Sequence, residues 1–263
     1  MRSRFLRTII ALLMLLVVSA RIGIADPPRQ KPLKTDLTVS AAISLKDALE
    51  DIKKLYQVEN TDTNITYNFG ASGSLQQQIE QGAPVDLFLS AAPKQMDALE
   101  AKNLLLPGTR MDLVRNRVVL VVPKDSHSVS GFQDLTRSDV RRIALGEPSS
   151  VPVGKYAQEV LAYFGIYEQV KPKAVLAKDV RQVLTYVETG NVDAGIVYFT
   201  DAISSAQVKI VAEAPRGSHS PVIYPVAVLK DSRDPQGARD FEKFLASPKA
   251  RSAFEKRGFA MAQ

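Results

Sequence analysis

Four short segments of this chain, Ala42-Ile43-Ser44-Leu45, Ala71-Ser72-Gly73-Ser74, Val151-Pro152-Val153-Gly154 and Lys178-Asp179-Val180-Arg181, stand where an apolar stretch hands over to a helical pattern. A helix opening carries backbone N–H groups with no intrahelical partner and about half a positive charge, and both favour an anion. Four openings brought together would face roughly two negative charges without help from Lys or Arg. The chemistry this suggests is capture of a dianion by amides and hydroxyls.

Other chemistries have less to stand on. The chain has no cysteine, which removes thiolate metal sites and cysteine nucleophiles, and its two histidines, His127 and His219, sit in polar, turn-like contexts. Neither has a second ligand at helical spacing, so no cation site is expected. Gly70-Ala71-Ser72-Gly73-Ser74 has the outline of a nucleophile elbow, but G-x-S-x-G needs glycine at position 74, which is Ser. No histidine lies in a convincing partner segment for a secreted hydrolase, and no enzyme is expected. The nucleotide motifs G-x-G-x-x-G and G-x-x-x-x-G-K-[ST] are both missing from the sequence.

The N-terminus indicates where such a binder works. Arg2, Arg4 and Arg7 precede an apolar run from Ile9 to Val18, followed by small residues at Ala20, Gly23 and Ala25, the layout of a secretory signal peptide. The run is too short to span a bilayer comfortably. Cleavage is expected after Ala25, with Ala20 as the second choice. Removing residues 1–25 takes away four Arg and no acid, so the formal charge falls from +6 to +2. A nearly balanced mature chain offers no concentrated basic face to nucleic acid. With no cysteine to carry a lipid, the product is expected to be soluble in a bacterial periplasm.

Beyond a Pro-rich, charged leader at 26–34, strands and helices alternate. Leu37–Ala41, Ile65–Phe69 and Val85–Ser90 read as strands, each followed by a helix: one opened by Ser44 and Asp47 as a capping box, with Leu45, Ala48, Leu49, Ile52 and Leu55 on its apolar face, then Leu75–Gln81, then Pro93–Lys102. Arg117–Val122, Arg142–Gly146, Lys173–Ala177, Ala194–Tyr198 and Val208–Ala212 are the strands of a second unit, with helices from Val151 to Phe164 and from Asp179 to Thr189. Val222–Leu229 is a further strand, and helices at Pro235–Ala246 and Pro248–Arg257 finish the chain. The predicted class is α/β, with mostly parallel sheets flanked by helices in two lobes, 35–115 plus 225–263 and 116–224. Ligands of open α/β sheets lie beyond the carboxyl ends of strands, where all four openings fall, so the site is expected in a cleft that closes by a hinge.

The chain resembles the periplasmic molybdate-binding components of ABC importers, which have the type II substrate-binding-protein fold. The resemblance runs over essentially the whole mature sequence. It is carried by V-S-A-A-I-S-L from Val39, Q-I-E-Q-G-A-P-V-D-L-F-L-S-A from Gln78, G-E-P-S-S-V-P-V-G-K-Y-A from Gly146, D-V-R from Asp179 and G-I-V-Y-F-T-D-A from Gly195. It implies that a tetrahedral oxyanion is held by the hydroxyls of Ser44 and Ser72, the main chain at Val153 and Val180, and Tyr198. Molybdenum would thus be present only as molybdate, at those same residues. Relatives often carry alanine at the position of Val153, and serines where the 70–74 turn here has glycines.

The implied function is capture of molybdate, and of tungstate, for delivery to a membrane permease, by a monomer without a cofactor; the alternative is another oxyanion such as sulfate or thiosulfate. Molybdate and sulfate carry no proton near neutral pH and need donors alone, whereas protonated phosphate rewards an acceptor. None of the five positions is acidic, and Asp179, beside Val180, is read as the N-cap of its own helix. The plainer readings are N-capping for Ser44 and Ser72, apolar packing for Val153 and Val180, and for Tyr198 a core phenol bonded to a backbone carbonyl.

Overall fold

The computed structural model describes residues 35–262. The expected signal segment, its cleavage site and the leader lie outside the described residues. Among the described residues, eleven strands form two sheets. In the first, the buried run Leu37, Val39 and Ala41 makes β1 (Thr35–Ala42) a central strand, paired in parallel with β2 (Thr63–Gly70) and β3 (Leu87–Leu89). β10 (Ile223–Val228), β4 (Met111–Arg115) and β11 (Ala260–Met261) extend it with antiparallel pairs, in the order β11-β4-β10-β3-β1-β2.

The second sheet has the order β7-β6-β8-β5-β9. β6 (Ile143–Gly146) lies parallel to β7 (Ala174–Ala177) and β8 (Ala194–Tyr198), while β5 (Val118–Pro123) runs antiparallel to β8 and β9 (Val208–Glu213). Parallel pairing is thus confined to the strands joined through helices. Antiparallel pairing enters at β4, β5, β9 and β10, where the chain passes from one sheet to the other at 116–117 and back at 214–222, and at β11, which pairs with β4.

Helices cover the sheets, and most follow the expected segments. They are α1 (Lys46–Glu59), α2 (Ser72–Glu80), α3 (Pro93–Ala101), α4 (Pro152–Tyr163), α5 (Tyr167–Val170), α6 (Val180–Glu188), α7 (Phe199–Ile203), α8 (Pro235–Leu245) and α9 (Pro248–Lys256). Gly165 and Gly190 follow α4 and α6 with φ of 70° and 66°, the left-handed stop that glycine adopts without strain.

Three local readings change. Ser44 does not cap α1: it lies inside a 3-10 turn, Ile43–Leu45, without a capping side chain, because its hydroxyl and the Asp47 carboxylate are drawn into tertiary contacts described below. Leu55 is 40% exposed and Tyr56 takes its place in the core, edge-on to Phe241 and Phe244. α2 begins at Ser72 rather than Leu75; glycine and serine are weak helix formers, and its first turn is fixed by contacts from elsewhere in the chain.

Candidate functional site

The carboxyl ends of β1, β2, β3, β6, β7 and β8 meet between the two sheets, and the turns leaving them surround one small cavity of about 200 Å³ including its mouth. Ala42, Ile43 and Ser44 come from the end of β1, Gly70, Ala71 and Ser72 from β2, and Ala91 from beyond β3. Val151, Pro152 and Val153 come from the opening of α4, Val180 from that of α6, and Tyr198 from the end of β8. All five sequence-predicted residues, Ser44, Ser72, Val153, Val180 and Tyr198, therefore line one space. No charged side chain lines it.

Close packing sets this geometry. The opening of α4 lies against the end of β6 so tightly that a Cβ on Gly154 would fall onto the carbonyl oxygen of Gly146. Gly73 approaches the other half of the molecule as closely. Its N–H donates to the Ser150 carbonyl at 2.9 Å, and a Cβ there would stand 2.6 Å from that oxygen. The glycine that sets this turn apart from the family pattern is thus required by a backbone contact between the halves.

The hydroxyls of Ser44, Ser72 and Tyr198 all belong to buried residues. Ser72 is fully buried and its Oγ accepts from the Ala91 N–H at 2.9 Å. Ser44 Oγ lies 3.0 Å from the Tyr224 hydroxyl. Tyr198 is 1% exposed, its ring edge-on to Tyr224 and Tyr156, and its hydroxyl has no hydrogen-bond partner among the described residues. The core-phenol reading of Tyr198 required a backbone acceptor, which the structure does not provide. Burial raises the pKa of Tyr198 well above its ordinary value, so the phenol is a donor at neutral pH.

The amides at Val153 and Val180 occupy the second position of α4 and the first of α6, where a helix has no carbonyl four residues back. Asp179 caps α6, its carboxylate accepting from the Gln182 N–H at 2.9 Å, and it does not line the cavity. His127 is exposed, and His219 lies against Tyr156 with Nδ1 2.7 Å from the Ser220 carbonyl oxygen. No group of His, Cys, Asp and Glu among the described residues could hold a metal cation.

Beside this cavity lies a second, of about 380 Å³, bounded by Asp47, Arg181, Lys256 and Arg257. Arg181 Nη2 donates to Asp47 Oδ2 at 2.7 Å across the halves, and Nε lies 2.8 Å from Asp201 Oδ1, out of line for a hydrogen bond. Arg181 is therefore paired with the Asp47 carboxylate and does not line the first cavity. Burial pushes the fully enclosed Asp201 carboxyl up to about 7 even though Arg181 pulls the other way. Sequence reasoning did not reach Tyr224, the Ala91 amide, the Gly73–Ser150 contact or this ion triad, because each is a pairing between residues far apart in the chain.

Residues 37–260 match the family described as bacterial extracellular solute-binding protein. The chain belongs to this family. Among its relatives, a putative ABC transporter substrate-binding lipoprotein, YvgL of Bacillus subtilis, is 48% identical over 86% of this chain and 86% of its own length. The molybdate-binding protein ModA of Haemophilus influenzae is 38% identical over 85% of this chain and 89% of its own. A solved substrate-binding domain of a putative molybdenum ABC transporter from Clostridium difficile is 47% identical, with a TM-score of 0.69, and aligns over 87% of this chain and 100% of its own. The protein is a solute-binding protein, not an enzyme. No helix among the described residues is long and apolar enough to cross a membrane.

Proposed function

We propose that this protein captures molybdate in the cavity between its two sheets and hands it to an ABC permease in the cytoplasmic membrane. The observation that carries the proposal is the convergence of four chain turns and the partnerless Tyr198 hydroxyl on a space of about 200 Å³ with no charged side chain. Such a lining contains donors and almost no acceptors, which matches a small oxyanion without a proton. Each hydrogen bond to an ion contributes roughly 1.5–3 kcal/mol, so several neutral donors together can offset the cost of removing its water.

In this reading Ser44, Ser72 and Tyr198 donate through hydroxyls, and Val153 and Val180 through their amides. Tungstate, of the same charge and shape, is taken as well. Residues 35–115 plus 225–263 and 116–224 act as two lobes that hinge at the crossings and close on the ion. The Gly73–Ser150 bond and the Asp47–Arg181 pair tie the lobes in the closed form. The protein works as a monomer, delivered to the periplasm by cleavage of its signal segment. The names of the relatives support the cargo and the permease; the geometry supports the closing site.

Calorimetric titration of the purified mature chain with molybdate, tungstate, sulfate and phosphate tests the proposal. Molybdate and tungstate should bind tightest and phosphate weakest. Tighter binding of sulfate, or no heat with molybdate, would overturn the cargo.

A further inference from the structure

We propose that Asn116 and Tyr224 are positioning residues that force the Ser44 hydroxyl to point its proton into the cavity, so that the site selects tetrahedral oxyanions without a proton over those that carry one. The inference rests on the reading of the cavity as an oxyanion site.

The argument starts at Asn116, where the chain crosses between the sheets. Its Oδ1 accepts from the Arg117 N–H at 2.9 Å, which settles the amide's orientation and turns the NH2 end inward. Nδ2 then donates to Thr200 Oγ1 at 2.9 Å and to the Tyr224 hydroxyl oxygen at 3.2 Å. An amide nitrogen only donates, so the Tyr224 oxygen is an acceptor here and its own proton must go elsewhere. The Tyr198 hydroxyl lies near it but out of line for a hydrogen bond, and Ser44 Oγ is 3.0 Å away. Ser44 therefore accepts from Tyr224, and its own proton is left for the space it faces; Ser44 stands on the wall between the first cavity and the one bounded by Asp47 and Arg181, and an anion bound in the first is the acceptor there.

Tyr224 is fully buried, edge-on to Tyr198 and Phe259, which fixes its ring and keeps the phenol protonated. Ser72 is directed in the same sense by one step, from the Ala91 N–H. On both serines the protein supplies the donor from behind. Hydrogen phosphate, which keeps a proton at neutral pH, meets protons where it needs a lone pair; molybdate, tungstate and sulfate do not.

Two variants test the chain. Tyr224→Phe keeps the ring and frees the Ser44 hydroxyl to rotate. Asn116→Asp keeps an acceptor for the Arg117 amide but replaces the NH2 donor with a carboxylate oxygen, which takes the Tyr224 proton and reverses every bond up to Ser44. Both are titrated beside the wild type with molybdate, sulfate and phosphate. Molybdate affinity should fall about fivefold or more in Tyr224→Phe and further in Asn116→Asp, and the preference for molybdate over phosphate should narrow in both, by about threefold or more in the former and about tenfold in the latter. A packing role alone would weaken all three ions by one common factor.

Preference ratios within about twofold of wild type in every variant that folds would overturn the proposal. If Asn116→Asp does not fold, Tyr224→Phe decides alone. A wild type that prefers sulfate to molybdate refutes the cargo but not the chain, since the sulfate-to-phosphate ratio reads it equally well. A wild type that binds none of these ions overturns both.

Discussion

Replacing Gly73 with alanine should weaken anion capture without destabilising the ligand-free protein. Gly73 is the second residue of α2, and its N–H donates to the Ser150 carbonyl in the other half of the molecule at 2.9 Å. An added Cβ would lie 2.6 Å from that oxygen and 2.8 Å from Ser150 Cα, backbone atoms that cannot rotate aside. The halves must then separate locally. Loss of the bond costs about 0.5–1.5 kcal/mol and the remaining overpacking about 1–3 kcal/mol. Together these reach roughly 1.5–4.5 kcal/mol, a rise in Kd of about tenfold to about two-thousandfold.

The same change acts oppositely on the isolated helix. Gly73 has no positive φ, and alanine is the better helix former by about 0.5–1 kcal/mol. The melting temperature without ligand should therefore hold or rise by a few degrees, while the increase produced by molybdate shrinks. Calorimetry together with thermal melts in the presence and absence of molybdate separates the two effects. Wild-type affinity in Gly73→Ala would show that the contact with Ser150 plays no part in holding the ion.

Ser44→Ala and Ser72→Ala should each weaken molybdate binding by about tenfold or more, one hydrogen bond to an ion in each case; titration of both at wild-type affinity refutes their roles. Tyr198→Phe removes a hydroxyl that has no partner within the described protein, so affinity should drop while the ligand-free melting temperature holds or rises; unchanged affinity returns the phenol to the core. Val153→Ala keeps the amide and deletes fully buried methyls, so melting temperature should fall with affinity within about threefold of wild type; a larger loss would mean that the side chain shapes the site. Burial pushes the Glu242 carboxyl up to about 7 and leaves its Oε1 without a partner among the described residues. The fold then holds a proton that the unfolded chain has lost, so this contribution to stability is complete below about pH 4 and is lost as pH rises through about 7. Asp201 has the same sign. Thermal melts should show stability falling over this range, with a shallower fall in Glu242→Gln; an unaltered slope removes Glu242 as a cause.

The alternation of buried β-branched runs with helical periodicity was legible along the chain, because strand and helix periods are local properties. β8 (Ala194–Tyr198) is the same in sequence and structure, and most other elements differ by one to three residues. What escaped notice was short or irregular: β4, β11, α5 and α7 gain their order from neighbours rather than from their own pattern. At the candidate site, the four helix openings and the family phrases pointed to Ser44, Ser72, Val153, Val180 and Tyr198, which the structure brings to one cavity, since backbone donors at the ends of strands are a consequence of strand-turn-helix order.

Tertiary structure alone decided how those donors are aimed. Ser44 read as a cap for its own helix, yet its hydroxyl partner is Tyr224, 180 residues away, and the Asp47 carboxylate expected beside it reaches Arg181 instead. Gly73 read as part of a turn and proved to be a close backbone approach to Ser150. Local sequence fixes which groups a turn can offer, but the direction of a hydroxyl proton and the clearance between two backbones depend on partners that meet only when both sheets have formed.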